Sequence, residues 1–348
     1  MASALTASWM VILLSGAVAL AALVPGVALM RRFGTLPFAR VAEEAAGVVV
    51  GKAYGLAVTL LLVVMDALAL RQFADTFDLS ILPRTPVQVL VIVLALAAAY
   101  AAYAGLEGLS RITVFLTPWL LLALLGLGAA ELRSFSVLRL FPLWGPGPGE
   151  VAGQSLARSS AYAEVLILFI LYPYLRQPRR AVAVGIWSVL LSAALMVATQ
   201  VVLVGIFDIA GADGLSLPLI HLSRMVALGR FVTRVEPLAV FVWSFAAVLD
   251  VTVLLWAAAT TLAESLRLPD HRPLVAPLTA VTIGLALLPA GIQQASTLDF
   301  EYVRRWAWVV VFAIPAGLWV LAALRGLRGV PADEEVGADD PEATGSAR

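Results

Sequence analysis

The sequence predicts an all-α, polytopic membrane helix bundle, and three observations carry that prediction. Of 348 residues, 61% are hydrophobic and only 13% charged, whereas a water-soluble domain carries about 25% charge. Mean hydropathy is +0.96. The apolar residues also fall into nine runs close to the roughly 20 residues that cross a hydrocarbon core as a helix. These lie at 9–30, 54–73, 87–103, 112–130, 159–175, 181–207, 236–262, 273–292 and 306–324.

The first run is too long for the apolar part of a signal peptide, and no basic residue precedes it, so it is expected to be a true span. Its following loop carries Arg31, Arg32, Arg40 and Lys52. Alternate later loops carry Arg111, then Arg176, Arg179 and Arg180, then Arg267 and Arg272, then Arg325 and Arg328. Short loops rich in arginine face the cytoplasm, which puts the N-terminus outside and, with nine spans, the C-terminus inside. Two longer connections have helical apolar spacing. Leu36, Phe38, Val41 and Ala45 stand beside Arg40, Glu43 and Glu44; Leu219, Leu222, Met225, Val226 and Leu228 stand beside His221, Arg224 and Arg230. Both are expected to be amphipathic helices at an interface.

Charge divides the chain into a transmembrane domain, residues 1–330, and an acidic tail, residues 331–348. The tail holds six of the 23 acidic residues against Arg348 alone, and is expected to be disordered because it has too little apolar surface to bury. Lys52 is the only lysine, so no dense basic patch for nucleic acid is present. Cysteine is absent and histidine occurs only at His221 and His271, which leaves disulfide scaffolds, thiolate metal sites and histidine relays without residues. No phosphate-binding loop, nucleophile elbow or paired His-Glu motif occurs, so neither an enzyme centre nor a cofactor is expected.

Three ionisable residues interrupt the spans: Asp66, Glu164 and Asp250. A charge at the bilayer centre costs about 2.5–3.5 kcal/mol on insertion scales, so such groups face a cavity or a partner. Glu236, Trp243 and Asp250 are spaced by seven, nearly two turns, and share one helix face. A structural role stays open for each: Asp66 could pair with Arg71, and Glu164 could lie near the outer interface beside Arg158. The segment around Glu164 is broken, with Gly145 to Gly149 alternating Gly and Pro before it, Ser159-Ser160 at its start and Tyr172-Pro173 at its end. Short, interrupted spans beside polar residues mark binding sites of transporters, where unwound backbone receives a charged substrate. Pro25, Pro118, Pro277 and Pro315 are expected to be kinks.

Several ordered details resemble the spore germination permeases of the GerAB type, relatives of amino-acid transporters of the amino acid/polyamine/organocation superfamily. They are Gly51-Lys52 with Gly55, Thr85-Pro86, Gly105-Leu106-Glu107 followed by Arg111, Pro142, Arg234 with Glu236 and Trp243, and Arg272-Pro273-Leu274 with Pro277. The resemblance implies a LeuT-like fold of ten helices in two inverted five-helix repeats, with a ligand site built on the discontinuous first helix of each repeat. The first span here resembles the family's second helix, so the family's opening helix has no counterpart in residues 1–8.

On that alignment the break of the second repeat carries Ser159, Ser160, Tyr162 and Glu164, expected to contact a ligand together with Trp243 and Asp250. Asp66 and Asp250 are expected to set the cavity's electrostatics, and Glu107 with Arg111 to anchor a gate or loop. The resemblance further implies a receptor B subunit that binds a small amino acid such as alanine. It would signal germination through A and C subunits in the cell membrane or the spore inner membrane. A proton-coupled amino acid transporter is the alternative.

Overall fold

The computed structural model describes residues 6–130, 134–145, 147–175, 177–213, 218–225 and 236–328, and every regular element among them is helical. In lipid the backbone must satisfy its own hydrogen bonds, and each of the nine apolar runs accordingly falls mainly on helix. In order these are α1 (Ser8–Phe33), α2 (Phe38–Ala46), α3 (Val48–Ser80), α4 (Val87–Ala104), α5 (Leu106–Ala130), α6 (Pro148–Ala157) and α7 (Ser159–Tyr174). Then follow α8 (Ala181–Asp213), α9 (Pro218–Met225), α10 (Glu236–Leu266), α11 (Arg272–Ala286) and α12 (Ile292–Leu324).

Seven of these helices are long and apolar enough to cross a membrane, and eight are if the bent pair α6–α7 counts as one span. The eighth run, 273–292, gives only the 15-residue α11. Two expectations change. The last helix begins at Ile292 rather than near residue 306, so Asp299 and Arg304 belong to a helix and not to an outer loop. Arg71 pairs with Asp75 one turn on, at 2.9 Å, and not with Asp66. The acidic tail, residues 331–348, and Arg176 and Arg234 lie outside the described residues.

Both amphipathic segments form short helices, α2 and α9, the second described only as far as Met225. In α2, Phe38, Val41 and Ala45 are buried as their spacing predicts, but Glu43 is buried too, meeting Arg267 beyond α10 at 2.9 Å. The chain turns from α2 into α3 at Gly47, whose φ of +95° suits glycine. Four residues on, Gly51 lies against the Glu43 backbone, where any side chain would collide.

Element lengths recur along the chain. A 26-residue α1, 9-residue α2, 33-residue α3, 18-residue α4 and 25-residue α5 are followed, after the bent pair, by helices of 33, 8, 31, 15 and 33 residues. α3, α4, α10 and α11 pack together as one group, while α1 packs against α6, α7 and α8. The antiparallel pair α3–α10 makes the most extensive contact: Gly55 sits under the Ser265 hydroxyl near one end, and Phe73 meets Trp243 edge-on at 6.2 Å near the other. On the outside, Leu60, Val93, Phe115, Leu122 and Trp187 are exposed, and Leu109 is the sole buried residue described on α5. A surface of this kind is stable only against lipid or another apolar partner.

Candidate functional site

The local sequence builds a broken helix. Gly147 at φ +121° precedes α6 and Pro148 opens it, where proline's missing N–H costs no hydrogen bond. After Arg158 the chain tightens into a 3₁₀ turn at Ser159–Tyr162, resumes α geometry at Val165–Leu171, and tightens again at Tyr172–Tyr174 around Pro173. The halves meet at 43°. The second half is pressed close to α1, because Gly26 lies under the Phe169 ring and has no side chain to hold it off.

The break is organised by a residue that lies outside all nine apolar runs of the sequence. Arg304, in the middle of α12, donates from Nη2 to Glu164 Oε1 at 2.8 Å and from Nε to Asp299 Oδ2 at 3.1 Å. Its Nη1 reaches the carbonyls of Ser160 and Ala161, both at 3.3 Å. The guanidinium thereby adds a charged donor to carbonyls of the 3₁₀ turn, where Ser160 O also accepts from the Ala163 N–H. Asp299 and Arg304 are five residues apart, which in an α-helix would set them on different faces. The backbone at Leu298–Val303 is a π turn, bonded from i to i+5, and this brings the two together. That five-residue spacing is the one sequence signal that could have paired them.

The expected ligand contacts are thus only partly free. The Ser159 hydroxyl donates to the Leu156 carbonyl at 2.9 Å, the Ser160 hydroxyl to the Arg304 carbonyl, and Tyr162 Oη to the Ile12 carbonyl at 3.1 Å. These three side chains are buried and serve first to hold the break. Glu164 is about one-third exposed and lines, with Tyr162, Leu168, Ser188 and Ser192, a cavity of about 590 Å³ between α7 and α8. A second cavity, of about 610 Å³, opens on the other side of the break beside Ser159, Arg305, Trp306 and Trp308.

Asp250 lies within electrostatic range of Glu164, Asp299 and Arg304, and Asp66 within range of Asp250. Glu164 of α7, Asp250 of α10 and Asp299 of α12 thus lie near one guanidinium, and Asp66 of α3 lies near Asp250. Trp243 stands apart from the break, on Phe73. Glu107 and Arg111 form a 2.6 Å pair with each other on the first turns of α5, with side chains 79% and 78% exposed. No group of three or more His, Cys, Asp or Glu side chains among the described residues is arranged to hold a metal ion.

Comparison with known proteins agrees with this architecture. The family described as "Spore germination protein" matches residues 1–295. Spore germination protein A2 of Bacillus subtilis (strain 168) is 22% identical over 285 residues, covering 81% of this chain and 77% of the relative. With its apolar helices and a match over most of its length, the chain is an integral membrane protein of the spore germination permease family.

Proposed function

We propose that this chain is a B-subunit-like component of a germinant receptor that binds a small amino acid at the α6–α7 break and passes the change to partner subunits. Membership of the family supports a receptor or permease role. The observation that carries the ligand class is the Glu164–Arg304 pair, whose Glu164 lines a cavity just after the 3₁₀ turn. A zwitterion can insert between these two groups without changing the buried charge, its ammonium meeting Glu164 and its carboxylate meeting Arg304. Tyr162 and Asp250 would flank it, and the modest cavity suits a small side chain such as alanine's.

Signalling needs only a ligand that binds two states unequally. Insertion would loosen Arg304 from Glu164 and so couple the break to α12, while Glu107 and Arg111 would present charge to a neighbouring loop or subunit. The partners in this scheme are receptor A and C subunits and the setting is the spore inner membrane; with the bent pair as one span and the short α11 as a ninth, the N-terminus lies outside and the C-terminus inside. The repeated series of element lengths supports two repeats of five-helix type.

A second reading, a proton-coupled amino acid transporter, is favoured by the surplus of interior carboxylates over arginine. Purified protein in detergent, screened by thermal shift against the common amino acids, tests the binding step. A ligand at 100 times its Kd adds about 2.7 kcal/mol to the native state. A selective shift that Glu164→Gln abolishes is expected. No shift with any amino acid would remove the ligand assignment, and gradient-driven uptake in proteoliposomes would favour the transporter.

A further inference from the structure

The register of α3 against α10 sets two carboxylates face to face. Phe73 and Trp243 meet across this antiparallel pair. Asp66 is seven residues before Phe73, and Asp250 seven residues after Trp243. Seven residues are almost two turns, so each aspartate repeats the face of its aromatic neighbour, about 10 Å further along the pair. Both also lie fourteen residues from the same end of their helices, Ser80 and Glu236, or about 21 Å along the axis. That is close to the middle of a span.

Asp66 is 0% exposed. Its Oδ2 accepts a hydrogen bond from Thr282 Oγ1 of α11 at 3.3 Å, and its Oδ1 is buried with no hydrogen-bond partner among the described residues. The nearby basic groups are engaged elsewhere: Arg71 with Asp75, and Arg304 with Glu164 and Asp299. Two carboxyl groups and a hydroxyl therefore converge where three helices meet, with the nearby arginines engaged elsewhere and one oxygen left unsatisfied. A buried polar atom in that condition is costly, and a buried carboxylate that stays charged requires a counter-charge.

We propose that a monovalent alkali cation binds between α3, α10 and α11, coordinated by Asp66 Oδ1 and Thr282 Oγ1 and balanced by the charge of Asp250. Oxygen ligands suit a hard cation. The small donor set, without a cluster of three acidic or histidine side chains, suits a single rather than a double positive charge. A bound ion would tie α3 and α10 to α11 and fix the wall against which the broken helix moves. This inference stands on the α3–α10 register and holds whether or not the break takes an amino acid.

The test is thermal unfolding of the full chain in detergent, with sodium, potassium or lithium chloride replacing N-methylglucamine chloride at constant ionic strength. A saturable rise in Tm with at least one alkali cation is expected, absent in Asp66→Asn and needing roughly tenfold more salt in Thr282→Val, as fits the loss of one ligand. Direct binding of radioactive sodium to the wild-type chain, displaced by the other alkali ions, gives the same answer without a variant should Asp66→Asn fail to fold. Unfolding that is indifferent to the cation, together with no displaceable sodium, overturns the proposal. So does an undiminished response in Asp66→Asn, or a response that calcium reproduces at equal concentration.

Discussion

Two carboxylate–arginine pairs in this protein have nearly the same length and quite different surroundings. Glu107–Arg111 on α5 closes at 2.6 Å and Glu164–Arg304 between α7 and α12 at 2.8 Å. The first joins residues one turn apart on one helix, both highly exposed. The second joins residues 140 positions apart, and its arginine is also bound by Asp299 and by two carbonyls of the helix break. Distance alone does not rank the pairs. An exposed pair contributes about 0–1 kcal/mol, whereas removing one partner of a buried pair strands the other without water or a counter-charge.

The sharpest way to break this comparison is Arg304→Met, which leaves the buried Asp299 without its counter-charge and the part-exposed Glu164 without its partner, and takes one donor from the Ser160 and Ala161 carbonyls. A loss of about 3–5 kcal/mol is expected, read as a fall in the thermal midpoint in detergent. Adding Glu164→Leu to it should recover part of that loss, because an apolar pair of similar size replaces a stranded charge. Recovery of nothing would mean that Arg304 acts through the carbonyls and Asp299 alone. Tyr162→Phe removes one buried hydrogen bond, to Ile12, and should cost about 1 kcal/mol by chemical unfolding. Smallest is Arg111→Ala, expected to shift stability by less than about 0.5 kcal/mol. A larger change in the isolated chain would show that α5's charges contact something more than each other.

The helical class and most span positions were legible because lipid allows few solutions to the backbone's hydrogen bonds, and length and hydropathy report directly on that constraint. The buried face of α2 was legible for a related reason, since Phe38, Val41 and Ala45 follow a regular helical period. Glu43 was not, because its inward position depends on Arg267, 224 residues away. The break at Ser159 and the importance of Glu164 could be read from local glycine, proline and serine. Their partner could not. Arg304 sits in a stretch with Asp299, Glu301 and Arg305 whose charge density reads as a loop, and only the pairing of these charges with one another and with α7 makes the stretch tolerable inside a span. The roles of Ser159, Ser160 and Tyr162 were hidden likewise, because a hydroxyl's choice between a ligand and a distant carbonyl is decided by tertiary packing.

α12 contains two π turns, at Leu298–Val303 and Val309–Ala313, the second just before Pro315, whose ring displaces an ordinary backbone bond. Each wide turn accommodates one residue more than the α pattern and advances the helix phase by about 100°. Arg304–Trp308 is therefore a short α segment indexed differently from what precedes and follows it. A helical wheel drawn continuously from Ile292 to Leu324 would be out of step by about 200° at its end. Deleting one residue from either wide turn would leave composition and hydropathy almost untouched, yet it would turn every side chain beyond it toward a different neighbour.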